Sequence, residues 1–424
     1  MMSYRRIPGT GDSLSALGFG MMRLPTSFGG RNSAAIDKEA ATALVRRAVE
    51  RGINYFDTAY FYHLGASETF LGEAIRTLRS EGVTAPMYIA DKLPTMLIHS
   101  RKQMDEIFEK QCSRLGVETI DYYLLHALDG VTWKKMLDLG VIDFLDQLKK
   151  NRRVRSIGFS FHGKKQDFYE IADGYDFDFA QVQYNILDVQ FQAGIEGIEY
   201  CAEKGMGVII MEPLRGGTLT THLPPSVEKI YKESAILRSP AEWALRFVLD
   251  HPAVTVVLSG MNVMEHLEEN CRVASDALPH SLTPPETAII DRVREEYASL
   301  LRVGCTGCSY CIPCPAKINI PQAFKNLNNA AIFSKTAAKM DHAIFLGAKT
   351  PDGKAHFTTD CIDCGKCEEK CPQGIPIRQV FHEVRRELEG PFTKSAAFVI
   401  RQMLRLKKKE ARRLSAGYFS VFAV

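Results

Sequence analysis

The sequence predicts an α/β protein, a closed (β/α)8 TIM barrel followed by a small, mainly helical domain. Three observations carry this expectation. Up to about residue 275, short apolar runs alternate with amphipathic stretches. Several runs, such as Val254-Thr-Val-Val-Leu258, are apolar without alternation, as strands of a parallel sheet buried on both faces require. Beyond them, eight of the eleven cysteines fall in two short groups, Cys305, Cys308, Cys311, Cys314 and Cys361, Cys364, Cys367, Cys371.

The expected strands are Leu14–Gly20, Ile53–Asp57, Met87–Lys92, Ile120–Leu125, Ser156–Ser160, Phe179–Tyr184, Gly207–Met211 and Val254–Ser259. Helices with start and stop signals lie between them. Ala41, Leu44, Val45, Ala48 and Val49 share one helical face that ends at Gly52. Asn262 and Glu265 read as a capping pair before a helix carrying Leu267 and Cys271. An open doubly wound sheet has similar content, but the G-x-G-x-x-G turn that would support it after the first strand is missing. A polar helix over Pro284–Leu300 leads toward the cysteines, and the 46 residues between Cys314 and Cys361 read as helical. The working division is 1–280 for the barrel, 281–303 for a linker, 304–390 for the cysteine domain and 391–424 for a basic helix and tail.

Composition narrows the function. No apolar stretch approaches the roughly eighteen residues of a spanning helix. The start, Met-Met-Ser-Tyr-Arg-Arg, has no apolar signal run, so a cytoplasmic protein with reduced thiols is expected. The formal charge of +3 counts the cysteines as neutral and gives no support to nucleic-acid binding.

Each cysteine group has C-x-x-C-x-x-C spacing and then a cysteine followed by proline, Cys314-Pro315 and Cys371-Pro372. Two residues between ligands let one tight turn aim successive thiolates at a small inorganic core. One short loop cannot surround a cubane, so the fourth ligand comes from elsewhere. This is the ligand arithmetic of two 4Fe-4S clusters. Zinc also takes four cysteines, usually from two separated C-x-x-C pairs. Cys112, Cys201 and Cys271 read as small core residues.

In the barrel, three ionisable residues end consecutive strands: Asp57, Lys92 and His126. Barrel enzymes place their chemistry at this end. The loop after Asp57 adds Tyr62, with His63 beside it. Taken singly, each is a satisfied polar group or a surface aromatic; three on neighbouring strands converge on one site.

Asp57-Thr-Ala-x-x-Tyr62, a strand ending in Lys92, and Leu124-Leu-His126 resemble the aldo-keto reductase family over about Tyr4–Ala274. The cysteine domain resembles that of the family's iron–sulfur branch, with a two-cluster, ferredoxin-like arrangement. The resemblance implies an oxidoreductase that interconverts a carbonyl and an alcohol. Tyr62 would be the general acid, Lys92 the cation beside it, Asp57 the anchor of Lys92, and His126 a hydrogen-bond donor to the substrate oxygen. It implies NAD(P)H contacts, with Ser160, Gln181 and Met211 at the nicotinamide and Glu269 and Asn270 at the adenine. The asparagine that usually follows the serine is Phe161, and the aromatic of the ring contact is Met211. The lysine and arginine that grip a 2′-phosphate fall at Gly260 and His266, which leaves NADH, or compensation by Arg215 and His266. By analogy with ferredoxins, Cys305, Cys308, Cys311 and Cys371 would hold one cluster, and Cys361, Cys364, Cys367 and Cys314 the other.

Nicotinamide carries two electrons and a cluster one, a split that a flavin normally mediates; Gly216-Gly217 follow the seventh strand, where barrels bind phosphate. Expected partners are a small carbonyl or alcohol and a ferredoxin or other redox protein. The other reading is an electron-transfer or partner subunit with a degenerate nicotinamide site, and a zinc-bearing reductase is a third. The pocket loops, around Phe28, Trp133 and Thr218–Leu237, hold no readable substrate code. Arg401–Arg413 carries seven Lys or Arg and one Glu ahead of the apolar Tyr418–Val424, either a solvated basic helix or a docking element for an acidic partner or a membrane surface.

Overall fold

A computed structural model describes residues 1–8, 10–28, 33–221, 223–305, 307, 310–350 and 352–419, with side chains to residue 405. The apolar tail expected beyond Tyr418 and the ligand Cys308 lie wholly or partly outside these residues. The chain divides into two compact units, Met1–Thr221 with Ile230–Asp291, and His222–Lys229 with Arg292–Val424.

The first unit opens with β1 (Tyr4–Arg6) and β2 (Ser13–Ser15), an antiparallel pair. Eight parallel strands follow: β3 (Leu17–Gly20), β4 (Tyr55–Asp57), β5 (Tyr88–Leu93), β6 (Ile120–Leu128), β7 (Val154–Phe161), β8 (Phe179–Gln183), β9 (Gly207–Met211) and β10 (Val254–Ser259). They close in the order β10-β3-β4-β5-β6-β7-β8-β9, which is the expected barrel. Its strands are buried on both sides; every residue of β10 is buried, as its unbroken apolar run requires.

The run Leu14–Gly20 is not one strand. Its first part pairs with Tyr4–Arg6, and the barrel strand begins only at Leu17. This hairpin has a physical task. Ile7 and Leu14 pack with the inward-facing Tyr55, Tyr122, Phe179, Ile209 and Val256, near the starts of the barrel strands. Asp12 from the hairpin turn accepts a hydrogen bond from the Tyr122 hydroxyl at 2.8 Å and pairs with Arg155 at 2.6 Å. The N-terminal mouth is thereby closed, and the open end is the one where β4, β5 and β6 finish.

The outer helices follow their sequence signals with one exception. In the helix Lys38–Glu50, the Asp37 carboxylate accepts from the Ala40 amide at 3.1 Å, and Ala41, Leu44, Val45, Ala48 and Val49 are buried. Gly52 turns the chain at φ +91°, where a Cβ would stand 2.9 Å from Met2 and from the Tyr4 hydroxyl. The exception is the helix Met264–Asp276, whose N-cap is Val263 with no side-chain cap, so the expected Asn262–Glu265 pair does not form. Asn262 and Val263 line a cleft instead.

The second unit is helical. Helices Ile320–Ile332, Lys335–His342 and Ile377–Leu388 bury Phe324, Leu327, Phe381, Val384 and Leu388 in a core of their own. Cys305, Cys311, Cys314, Cys361, Cys367 and Cys371 pack against that core, while Cys364 is exposed. The buried Glu389 carboxylate accepts from the Thr358 amide at 2.7 Å and meets His342 at 2.9 Å, tying the loop before Cys361 to the helices.

Candidate active site and cysteine cavities

Parallel register brings three of the four expected polar residues together. Asp57 ends β4 opposite Ala90, and Lys92 near the end of β5 stands opposite Leu124, two residues before His126. Tyr62 opens a 3-10 turn, Tyr62–Gly65, in which His63 and Leu64 adopt φ of 52° and 57°. Such left-handed conformations are costly for non-glycine residues and persist where surroundings enforce them. Here His63 is fully buried; its Nε2 accepts from the Leu24 amide at 3.2 Å, and its Nδ1 meets the Ser33 carbonyl at 2.8 Å. His63 is a brace for the loop, and Tyr62 is the residue turned to the site.

Lys92 is the hub. Its Nζ donates to both Asp57 carboxylate oxygens at 2.7 Å, to the Thr58 carbonyl at 2.8 Å and to the Tyr62 hydroxyl at 3.4 Å. Burial alone would pull the ammonium pKa down, but Asp57 leads the interactions that raise it overall. Behind it, Gln111 Nε2 donates to the Lys92 carbonyl at 3.0 Å and to Glu68 at 3.2 Å. Tyr123 in turn donates to Gln111 at 2.7 Å, so the strand end carrying Lys92 is fixed from outside the barrel. Lys92→Met would strand the Asp57 carboxylate in a site where the two side chains are 1% and 4% exposed. Breaking such a pair costs about 3–5 kcal/mol, read as a lower denaturation midpoint. A midpoint equal to wild type would refute this account.

The Tyr62 phenol lies above its ordinary pKa, because burial raises it more than Lys92 lowers it. It is therefore protonated at neutral pH and able to give a proton. His126 stands edge-on to the Tyr62 ring, with centroids 6.3 Å apart. Burial first, then the charges of Lys92 and His162, push its pKa down to about 3, so the imidazole is neutral. Its Nδ1 is buried without a hydrogen-bond partner among the described residues. The folded chain thus resists a proton that the unfolded chain takes up near pH 6.5. His126 withdraws stability as pH falls from about 6.5 toward 3, and His126→Gln should flatten the decline of melting temperature in that window. Parallel declines in the two proteins would exclude this role.

A cleft of about 480 Å³ opens beside the tetrad, within the usual range for small-molecule sites. Asp57, Tyr62, Gln181 and Met211 line it, with Arg23, Glu212, Gly216, Gly260 and His266. Gln181 Nε2 donates to Asp57 at 3.0 Å, which leaves its carbonyl oxygen available. Of the other expected NAD(P)H contacts, Met211 lines the cleft and three are held internally. Ser160 Oγ accepts from the Ala127 amide at 2.7 Å, Asn270 donates to Ser259 at 3.0 Å, and Glu269 accepts from Ser239. Phe161 is fully buried against Phe168. Arg215 lies 3.5 Å from Asp188, and Trp133 is a core residue beside Phe177, not part of a pocket wall. Arg23, which ends a 3-10 turn over Met21–Arg23, and Glu212 were not expected; neither is marked by a period or motif.

The described cysteines border two separate cavities. Cys311, Cys314, Cys361, Cys364 and Cys367 line one. Cys305, Cys311 and Cys371 line the other, with Ile320 and Phe324. Cys314, from the first sequence group, thus stands with three cysteines of the second, and Cys371 stands with the first group. Cys314 also lies close enough to Cys367 to influence its thiol electrostatically. Among the described residues, no three Cys, His, Asp or Glu side chains are grouped for a single metal ion.

Known proteins fit this picture. The chain is 26% identical over 298 residues to L-galactose dehydrogenase of Arabidopsis thaliana, covering 65% of this chain and 89% of that one. Its structure resembles the holo form of the aldo-keto reductase AKR11C1 from Bacillus halodurans, at a TM-score of 0.57 and 26% identity over 69% of this chain and 96% of that one. It also shares its fold with an aldo-keto reductase from Klebsiella pneumoniae solved in complex with NADPH, at a TM-score of 0.54, 22% identity, and 69% and 95% coverage. Residues 304–375 match the 4Fe-4S dicluster domain. Since residues 16–295 match the aldo/keto reductase family, the chain belongs to that family and is an oxidoreductase.

Proposed function

We propose that the barrel interconverts a carbonyl and an alcohol, with Tyr62 as general acid, and that two 4Fe-4S clusters connect it to an external one-electron carrier such as a ferredoxin. The observation that carries the reading is the Lys92 ammonium, held on Asp57 at 2.7 Å while reaching Tyr62 at 3.4 Å. That geometry keeps a cation beside the phenol throughout. It favours the phenolate left behind once a proton has gone to the developing alkoxide. Neutral His126 is suited to donate a hydrogen bond to the same oxygen without competing as an acid.

The cleft is large enough for a nicotinamide nucleotide, with the Gln181 carbonyl oxygen and Met211 as the residues to seat the ring end. The paired cavities suit cubanes ligated by Cys305, Cys308, Cys311 and Cys371, and by Cys361, Cys364, Cys367 and Cys314. When bound, the nicotinamide supplies two electrons as hydride and each cluster passes one. A flavin would reconcile those counts, and flavin absorbance in anaerobically purified protein tests for it. The boundaries 1–280, 281–303, 304–390 and 391–424 are proposed for the barrel, linker, cluster domain and basic segment.

The internal hydrogen bonds of Ser160, Glu269 and Asn270 favour one other reading, an electron-transfer subunit whose barrel no longer turns over nicotinamide. Anaerobic oxidation of NADH and NADPH over a panel of aldehydes and ketones separates the two. Carbonyl-dependent oxidation lost in Tyr62→Phe supports the enzyme; no carbonyl dependence with any substrate supports the subunit.

A further inference from the structure

The cleft contains a cation with nothing to hold. Among its described lining residues, Arg23 is the sole lysine or arginine, facing the carboxylates of Asp57 and Glu212 and the imidazole of His266. Asp57 is already neutralised by Lys92. No hydrogen bond or ion pair holds the Arg23 guanidinium among the described residues, although it is only half exposed. A guanidinium carries five donors in a rigid fork and is always charged, so one that no protein group pairs is free to receive an anionic ligand.

Two glycines make its position possible. A Cβ at Gly260 would stand 3.2 Å from Arg23 Cβ and Cδ and 3.3 Å from Cγ, so the aliphatic stem lies along the bare backbone there. A Cβ at Gly216 would stand 2.8 Å from Arg23 Nη2, so the head occupies the space over the turn after β9. The Glu212 carboxylate borders the same point, 3.7 Å from that Cβ position, without forming an ion pair with Arg23. Arg23 therefore runs along the cleft wall from the end of β10 to the turn after β9.

We propose that Arg23 is the phosphate-binding residue of this cleft: the space that Gly216 and Gly260 leave holds its side chain against the wall, and its guanidinium receives a phosphate of the dinucleotide. This rests on the nicotinamide reading of the cleft. The fork suits a phosphate oxygen pair, and the group can be the pyrophosphate or a 2′-phosphate.

The test is anaerobic titration of the full-length holoprotein with NADPH, NADH, ADP and 2′,5′-ADP, following nucleotide or protein fluorescence. Arg23→Met keeps the stem and removes the charge; Arg23→Lys restores a point charge. Gly260→Leu displaces the stem with Arg23 intact. In Arg23→Met, affinity should fall roughly ten- to a hundredfold, with partial recovery in Arg23→Lys and a comparable loss in Gly260→Leu. Equal losses for NADH and NADPH identify the pyrophosphate as the group held; a loss confined to NADPH and 2′,5′-ADP identifies the 2′-phosphate. Melting temperature in the absence of nucleotide should be unchanged in Arg23→Met, since the head has no partner to lose. Wild-type binding of NADH or NADPH with unchanged affinity in Arg23→Met overturns the assignment and leaves the nicotinamide reading standing. Arg23-dependent binding of the ADP probes alone upholds Arg23 as a phosphate-binding residue and overturns the nicotinamide dinucleotide as its ligand. Failure of all four nucleotides to bind wild type overturns the assignment.

Discussion

Tyr62→Phe should lower turnover of a carbonyl substrate by about 10²–10⁴, the usual contribution of a positioned general acid. The substitution removes one oxygen and keeps the ring, so the edge-on contact with His126 at 6.3 Å survives. Lys92 loses its longest contact, at 3.4 Å, but keeps Asp57 and Thr58, and the fold should be unaffected. Nicotinamide affinity should hold within about twofold, with kcat and kcat/KM falling together, because the lost interaction belongs to proton donation. Steady-state rates and a nucleotide titration on the same two proteins check this. Turnover equal to wild type would remove Tyr62 from the chemistry, and a loss confined to KM would make it a binding residue.

The second large effect is expected in the cysteine domain. Cys367→Ala should lower bound iron and acid-labile sulfide by about half, since Cys367 lines only the cavity shared with Cys314, Cys361 and Cys364. Because Cys367 packs against the helical core that includes Phe381 and Val384, the thermal transition of that unit should weaken as well. The barrel has its own core, so its transition should persist. Cys112→Ala is the matched control. Cys112 is a buried barrel thiol whose pKa burial pushes up to about 11, marking it as inert packing. Full iron content in Cys367→Ala, or an equal loss in Cys112→Ala, would dismiss the assigned ligand.

Much of this was legible in the sequence, for reasons that also explain the gaps. Barrel strands are continuous apolar runs, and β9 and β10 have the bounds that their sequence suggests. Asp57 and Lys92 were legible as a pair because strand ends in register must meet. The cysteines were legible through spacing alone. Tyr4–Arg6 and Ser13–Ser15 were not, because two three-residue polar strands have no periodicity and are held by Ile7, Leu14 and Asp12 reaching distant partners. Arg23 was invisible for a related reason. Its position depends on two glycines, 193 and 237 positions farther along the chain, and nothing local announces that they share a wall. Trp133 misled because a large aromatic in a loop-like stretch reads as a pocket wall, whereas here it fills the space beside Phe177.

The saturation of Lys92 has a consequence for proton traffic. Its ammonium meets four acceptors, on Asp57, Thr58 and Tyr62, and the side chain is 1% exposed. No N–H is left to hand on to a water chain, and the far mouth of the barrel is stoppered by Ile7 and Leu14. On the proposed reading, Tyr62 is a single-charge donor on a dead-end line. Its proton returns only from water refilling the cleft, after the alcohol has gone. Uptake of the solvent proton then belongs to product departure, and each catalytic cycle is reset at the same door through which substrate arrived.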